Sequence, residues 1–149
     1  MGYLMWFRIR EEDFEALKWL DSNVSVQDLI LNDATFTSEF ILSMSVKNMT
    51  YSYRSWIVSR DRSVELFDVW TKPFDRVLVS TLLRDYNVSY LFSTSEQHQL
   101  IWGPKCLSYE YVNKSYSPQQ YAVILDNYSF LRIVYEKGSS RIYKVDFSG

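Results

Sequence analysis

The chain has 149 residues, 47% of them hydrophobic, which is enough apolar material for one packed core of ordinary domain size. Its 17% aromatic content excludes a disordered chain, 4 Gly and 3 Pro exclude a collagen-like or linker sequence, and 1 His with 1 Cys excludes an intrachain disulfide and a His/Cys zinc site. The 16 Lys and Arg stand against 18 Asp and Glu with the signs interspersed, so nucleic acid is not an expected partner.

Residues 1–7 are apolar and are stopped by Arg8, Arg10, Glu11, Glu12 and Asp13. The run is too short for a signal-peptide core with a cleavage site. Residues 1–10 therefore read as an N-terminal extension, either a first strand or the end of a preceding membrane helix, and residues 11–149 as one α/β domain. The longest stretch without Asp, Glu, Lys or Arg is the 11 residues 115–125, which contains Pro118 and is too short to span a bilayer.

From Glu11 the residues Phe14, Ala16, Leu17 and Leu20 follow helical spacing, with three acids in the first turn where the helix dipole favours them. Residues 21–23 break this helix, and 26–33 read as a short buried strand running into a polar turn. Thr35 or Thr37 is positioned to cap a second helix carrying Phe40, Ile41 and Met44. Residues 48–56 suit a strand followed by a loop. Leu66, Phe67 and Trp70 lie at helical spacing until Pro73 interrupts, and Phe74, Val77, Leu78 and Leu82 mark a stronger helix ending near Asn87. Val88–Ser93 reads as the central strand, and Pro118 opens a short helix with Tyr121, Ile124 and Leu125. Two β-rich runs, 131–136 and 141–147, flank a turn containing Gly138, which is a hairpin signal. Helix–strand alternation predicts an α/β fold, with a mainly parallel sheet flanked by helices and a C-terminal antiparallel β-hairpin.

Few residues suggest chemistry. With so few glycines, the phosphate cradles of dinucleotide and nucleotide sites and the nucleophile elbow cannot be built, and no cofactor, metal site or catalytic set is expected. Ligands of a parallel sheet gather at the carboxyl ends of its strands. The residues expected there are Asn32, Asp33, Thr35 and Thr37 after the first strand, Tyr53, Arg54 and Trp56 after the second, and Ser93, Thr94, Ser95, Glu96 and His98 after the third. From these, Asp33, Thr35, Thr37, Tyr53, Arg54, Trp56, Ser95 and His98 form a candidate set for a polar or sugar ligand, with aromatic faces to cover the apolar side of a ring. The paired acids Glu11 and Glu12 are accounted for by the helix dipole.

Five of the six asparagines begin Asn-x-Ser/Thr: Asn23, Asn48, Asn87, Asn113 and Asn127. With 20 Ser and 6 Thr in 149 residues, about one asparagine in six should be followed this way by chance. The excess makes all five candidate glycosylation sites and points to an extracytoplasmic face.

Several phrases add a family resemblance. Glu15-Ala-Leu-Lys-Trp-Leu20 with Asp28-Leu-Ile-Leu-Asn-Asp33, then Leu83-Arg-Asp-Tyr-Asn-Val-Ser-Tyr-Leu-Phe92, then Leu131-Arg-Ile-Val-Tyr-Glu136 with Arg141-Ile-Tyr-Lys-Val145, together span 11–147. They resemble the soluble domain that follows the membrane helices of archaeal polytopic proteins akin to multispanning lipid-linked-sugar glycosyltransferases, the class that includes oligosaccharyltransferases. The resemblance implies a piece of a larger protein, lying at the extracytoplasmic face of the cell membrane. Its partners would be the protein's own membrane-embedded domain and a glycan or lipid-linked sugar, with catalytic carboxylates and metal in membrane-side loops outside this chain. In oligosaccharyltransferases the turn after the first strand carries Trp-Trp-Asp-Tyr-Gly, which recognises the acceptor sequon. Here the stretch is Leu31-Asn-Asp-Ala-Thr-Phe-Thr37, in which only Asp33 corresponds. The expected function is a non-catalytic recognition domain. Two other classes stay open: a freestanding small hydrolase-like enzyme using Asp33 and His98, and a structural protein-interaction module.

Overall fold

A computed structural model of the chain describes residues 9–33, 48–50, 60–95 and 118–148. In chain order the elements are α1 (Glu11–Asn23), β1 (Leu29–Asn32), β2 (Asn48–Met49), α2 (Arg60–Thr71), α3 (Arg76–Asp85), β3 (Val88–Ser93), α4 (Pro118–Leu125), β4 (Leu131–Lys137) and β5 (Ser140–Val145). The expected helix over Phe40, Ile41 and Met44 lies outside the described residues, as do the continuation of β2 towards Trp56 and the stretch 96–117.

The sheet has five strands in the order β2-β1-β3-β5-β4. β1 is parallel to β2 and to β3, whereas β5 is antiparallel to both β3 and β4. The sheet is therefore mixed, and the expectation of a mainly parallel one is corrected. Alternation of helix and strand does produce the parallel β1–β3 neighbours, but the hairpin inserts its second strand beside β3, and this makes half of the pairings antiparallel.

Helices cover both faces. On one, Ala16, Leu17 and Leu20 of α1 and Val24 just beyond it pack on Ile30, Tyr90, Phe92 and Ile142. On the other, Leu66, Phe67, Val69 and Trp70 of α2, Val79, Leu82 and Leu83 of α3, and Leu125 of α4 pack on Leu29, Leu31, Val88, Leu91, Leu131 and Tyr143. This two-sided burial explains why β1 is apolar at consecutive positions and why β3 sits at the centre. Each large apolar side chain withdrawn fully from water contributes about 1.5–3 kcal/mol before entropy is counted.

The apolar run over α3 is only partly a core stripe. Asp75 caps the helix, its carboxylate accepting from Leu78 N at 3.1 Å, so Phe74 precedes the first turn. Phe74 and Val77 are exposed, while Val79, Leu82 and Leu83 turn inward.

The hairpin closes through Gly138 and Ser139. Gly138 has φ +56°, the left-handed region, and a Cβ there would run into the Glu12 carboxylate. Gly138→Ala is expected to cost about 1–2 kcal/mol for the left-handed backbone alone. Urea denaturation measures this, and an unchanged midpoint would contradict the turn geometry.

Candidate functional site

β1 and β3 run side by side in the same direction, so the residues just beyond their carboxyl ends meet. Asp33 N donates to Phe92 O at 2.9 Å, continuing the ladder by one rung. The Asp33 carboxylate then takes both donors of one residue, with Thr94 N and Thr94 Oγ1 each 2.6 Å from Oδ2. A second carboxylate arrives from the first turn of α1. Asp13 Oδ1 accepts from Ser95 N at 3.0 Å, and Asp13 Oδ2 accepts from Ser95 Oγ. Consecutive residues beyond β3 are thus each gripped by backbone N–H and hydroxyl on a different aspartate.

Asp13 and Asp33 have 0% exposure, and Thr94 and Ser95 are buried with them. Beneath this pair, Asn32 Nδ2 donates to Asp33 O at 3.2 Å, and Trp70 Nε1 reaches from α2 to Asn32 O at 3.0 Å. Thr50, just past β2, donates from N and Oγ1 to Ile30 O, both at 3.0 Å. Carboxylates that accept backbone and hydroxyl donors make short, charge-assisted hydrogen bonds, and these offset part of the cost of burial.

Burial pushes the Asp13 carboxyl above the usual carboxylate range. The Ser95 hydrogen bonds pull in the opposite direction, and the nearby Glu12 charge adds a smaller push upward. The Ser140 hydroxyl helps the charged form without making a hydrogen bond of ordinary geometry.

The arrangement's chemistry is positional. It fixes the roots of the segments that leave β1 and β3, at the edge where a parallel sheet receives ligands. Of the candidate ligand residues, Asp33 and Ser95 are brought into this cluster, linked through Thr94. Thr35, Thr37, Tyr53, Arg54, Trp56 and His98 lie outside the described residues. Asp13 was not singled out from the sequence, where it reads as one of three dipole-favoured acids, and its partner lies 82 residues away. The hydroxyl run Ser93-Thr94-Ser95 was the available signal, but nothing local names the acids it meets. Among the described residues no three His, Cys, Asp or Glu side chains are placed to hold a metal ion.

Among solved structures, the C-terminal globular domain of an oligosaccharyltransferase from Archaeoglobus fulgidus matches with a TM-score of 0.63, covering 94% of this chain and 100% of that one at 14% identity. The two share a fold. No protein-family model and no curated protein matches the chain. The expected resemblance to oligosaccharyltransferase globular domains thus holds at the level of fold. No helix among the described residues is long and apolar enough to cross a membrane.

The clamp makes a test with a defined sign. Because the folded pKa of Asp13 lies above its unfolded value, this group's contribution to stability is complete below the unfolded pKa and is lost as pH rises through the folded one. Asp13→Asn keeps an acceptor for Ser95 N–H without the charge and should remove that component of the pH dependence. Asp13→Leu strands both Ser95 donors and should cost about 1–3 kcal/mol at every pH. Denaturation at a series of pH values reads both, and an unaltered pH profile in the Asn variant would overturn the assignment.

Proposed function

We propose that the chain is an extracytoplasmic globular domain of a glycosyltransferase-like membrane protein. In this reading it positions an acceptor or glycan for chemistry performed by a membrane-embedded domain of the same protein. The carrying observation is the fold shared over nearly the whole chain with the globular domain of an oligosaccharyltransferase. The buried clamps support the reading, since segments anchored at fixed roots lose less freedom when they engage a ligand.

Asp33 and Ser95 then act as positioning residues. Thr35, Thr37, Tyr53, Arg54, Trp56 and His98 supply the contacting hydroxyls, aromatic faces, guanidinium and imidazole.

An isotope-labelled chain titrated with a soluble oligosaccharide, and separately with an Asn-Xaa-Thr peptide, should show amide shifts concentrated at 33–37, 53–56 and 94–98. Trp56→Ala should weaken the oligosaccharide response about tenfold, equivalent to about 1.4 kcal/mol. No shift at these positions with either probe would sink the reading.

A further inference from the structure

Four of the five Asn-x-Ser/Thr sequences fall among the described residues, and the topology gathers all four at one edge of the sheet. β1, β2 and β3 are mutually parallel, and β4 points the same way because β5 is antiparallel to both β3 and β4. The amino ends of β1 to β4 therefore share an edge, opposite the aspartate clamps. Asn48 opens β2 level with Leu29, and Asn87 immediately precedes Val88, which is also level with Leu29. Asn23 ends α1 on the approach to β1, and Asn127 follows α4 on the approach to β4.

Asn23, Asn87 and Asn127 are exposed. Ser25 and Ser129 are exposed as well, and Ser89 is half-buried. Local structure accounts for asparagine at these positions. Asn87 adopts φ 52°, a left-handed conformation that asparagine tolerates after a helix. Asn23 Nδ2 donates to Trp19 O at 2.8 Å, and Asn127 Nδ2 donates to Val123 O. The sequon hydroxyls are partly used locally, since Ser25 Oγ accepts from Gln27 N at 3.2 Å and Ser89 Oγ donates to Asp28 Oδ1 at 3.5 Å. The conformations of the asparagines themselves demand no hydroxyl two positions later, yet one follows five asparagines of six.

Space is present beside two of the exposed asparagines. A cleft of about 310 Å³ is bounded by Asn87 and Ser89 with Asp28, Arg84, Lys144 and Phe147. Another of about 530 Å³ is bounded by Asn127 and Ser129 with Asp126, Arg132 and Asp146. Charged and hydroxyl groups in both are suited to sugar hydroxyls. Asn48 differs, because its partner Thr50 is fully buried with its hydroxyl donated to Ile30 O.

We propose that the amino edge of this sheet is N-glycosylated at Asn23, Asn87 and Asn127, with a lipid-phosphate-linked oligosaccharide as donor. In the transfer, Nδ2 forms a bond to the anomeric carbon of the sugar. The bond from that carbon to the phosphate oxygen breaks with its electron pair left on the lipid phosphate, and the amide releases one proton. One N–H remains on each nitrogen. This goes beyond the recognition role proposed for the opposite edge and does not depend on it.

Glycopeptide mapping by mass spectrometry, on protein purified from its native cells, tests the proposal independently of any ligand titration. Glycan mass is expected at Asn23, Asn87 and Asn127, with Asn48 bare because Thr50 is sealed in the folded state. Additional occupancy at Asn48 would place transfer before β2 docks and would still support the edge. Bare peptides at Asn23, Asn87 and Asn127, or occupancy confined to Asn113, would overturn it. As a second readout, an N23Q/N87Q/N127Q chain from the same cells should lose glycan mass while keeping its circular dichroism spectrum. A mass change equal to the substitutions alone would also overturn it.

Discussion

Two aspartates without exposed surface hold the molecule's central strand at its far end, and most of the architecture is arranged around that grip. A carboxylate removed from water is costly unless donors surround it. Here each acid is met by the N–H and hydroxyl of a single residue, Thr94 for Asp33 and Ser95 for Asp13. The end of β1, the end of β3 and the start of α1 are thereby located relative to one another by directional bonds rather than by apolar packing alone. The first turn of α1 is also tied to the hairpin. Tyr135 Oη donates to Glu12 O at 2.6 Å, and Lys137 Nζ lies 2.5 Å from Glu15 Oε2. Burial and the surrounding acids push the Tyr135 phenol up to about 12, so it remains a donor throughout the physiological range. The Lys137 pair is on the surface and contributes little, whereas the buried bonds carry directional information the core lacks.

The elements themselves were legible because their signals are local. α1 shows 3.6-residue spacing at Ala16, Leu17 and Leu20, β3 is a short apolar run between turn residues, and Gly138 marks the hairpin. Where local pattern misled, a cap or a long-range pairing was responsible. Phe74 fits the stripe by spacing, yet Asp75 starts the helix after it, so the spacing counts a residue that is not on the helix. The mainly parallel sheet followed from counting helix–strand alternations, but strand order is decided by which apolar faces meet. Ile142 and Tyr143 supply both layers of core beside Phe92 and Leu91, and that places β5 next to β3.

Asp13 shows why the site was harder to read than the fold. An acid in the first turn of a helix already has a sufficient explanation in the dipole. What distinguishes it from Glu11 and Glu12 is its helix face: it shares the inward side with Ala16, Leu17 and Leu20. A carboxylate on that side must find donors or lose its charge, so an acid in register with a buried stripe is a stronger signal than an acid near a helix start. Asp33 was located correctly as the end of a strand, and its burial comes from the β1–β3 pairing that no neighbouring residue announces.

The poverty of reactive side chains takes on a different meaning once the acids are placed. The two aspartates at the carboxyl edge are spent on geometry, and that edge is where segments 34–47 and 96–117 leave the sheet. The opposite edge is different in kind. Helix C-termini turn there into parallel strands, and such turns favour polar, exposed asparagine, as the left-handed Asn87 illustrates. A β-α-β framework therefore places the asparagines of its helix-to-strand turns at the amino edge without selection for that pattern, while Asn32 closes β1 at the carboxyl edge. The hydroxyl two residues beyond five of the six asparagines is the part that this placement does not explain, although Ser25, Thr50 and Ser89 each use theirs in a hydrogen bond. The six residues of β3 separate the two edges by about 20 Å at about 3.3 Å per residue. A group attached at the amino edge thus leaves the carboxyl edge unobstructed, so bulk carried at one end and recognition at the other are physically compatible in the same small fold.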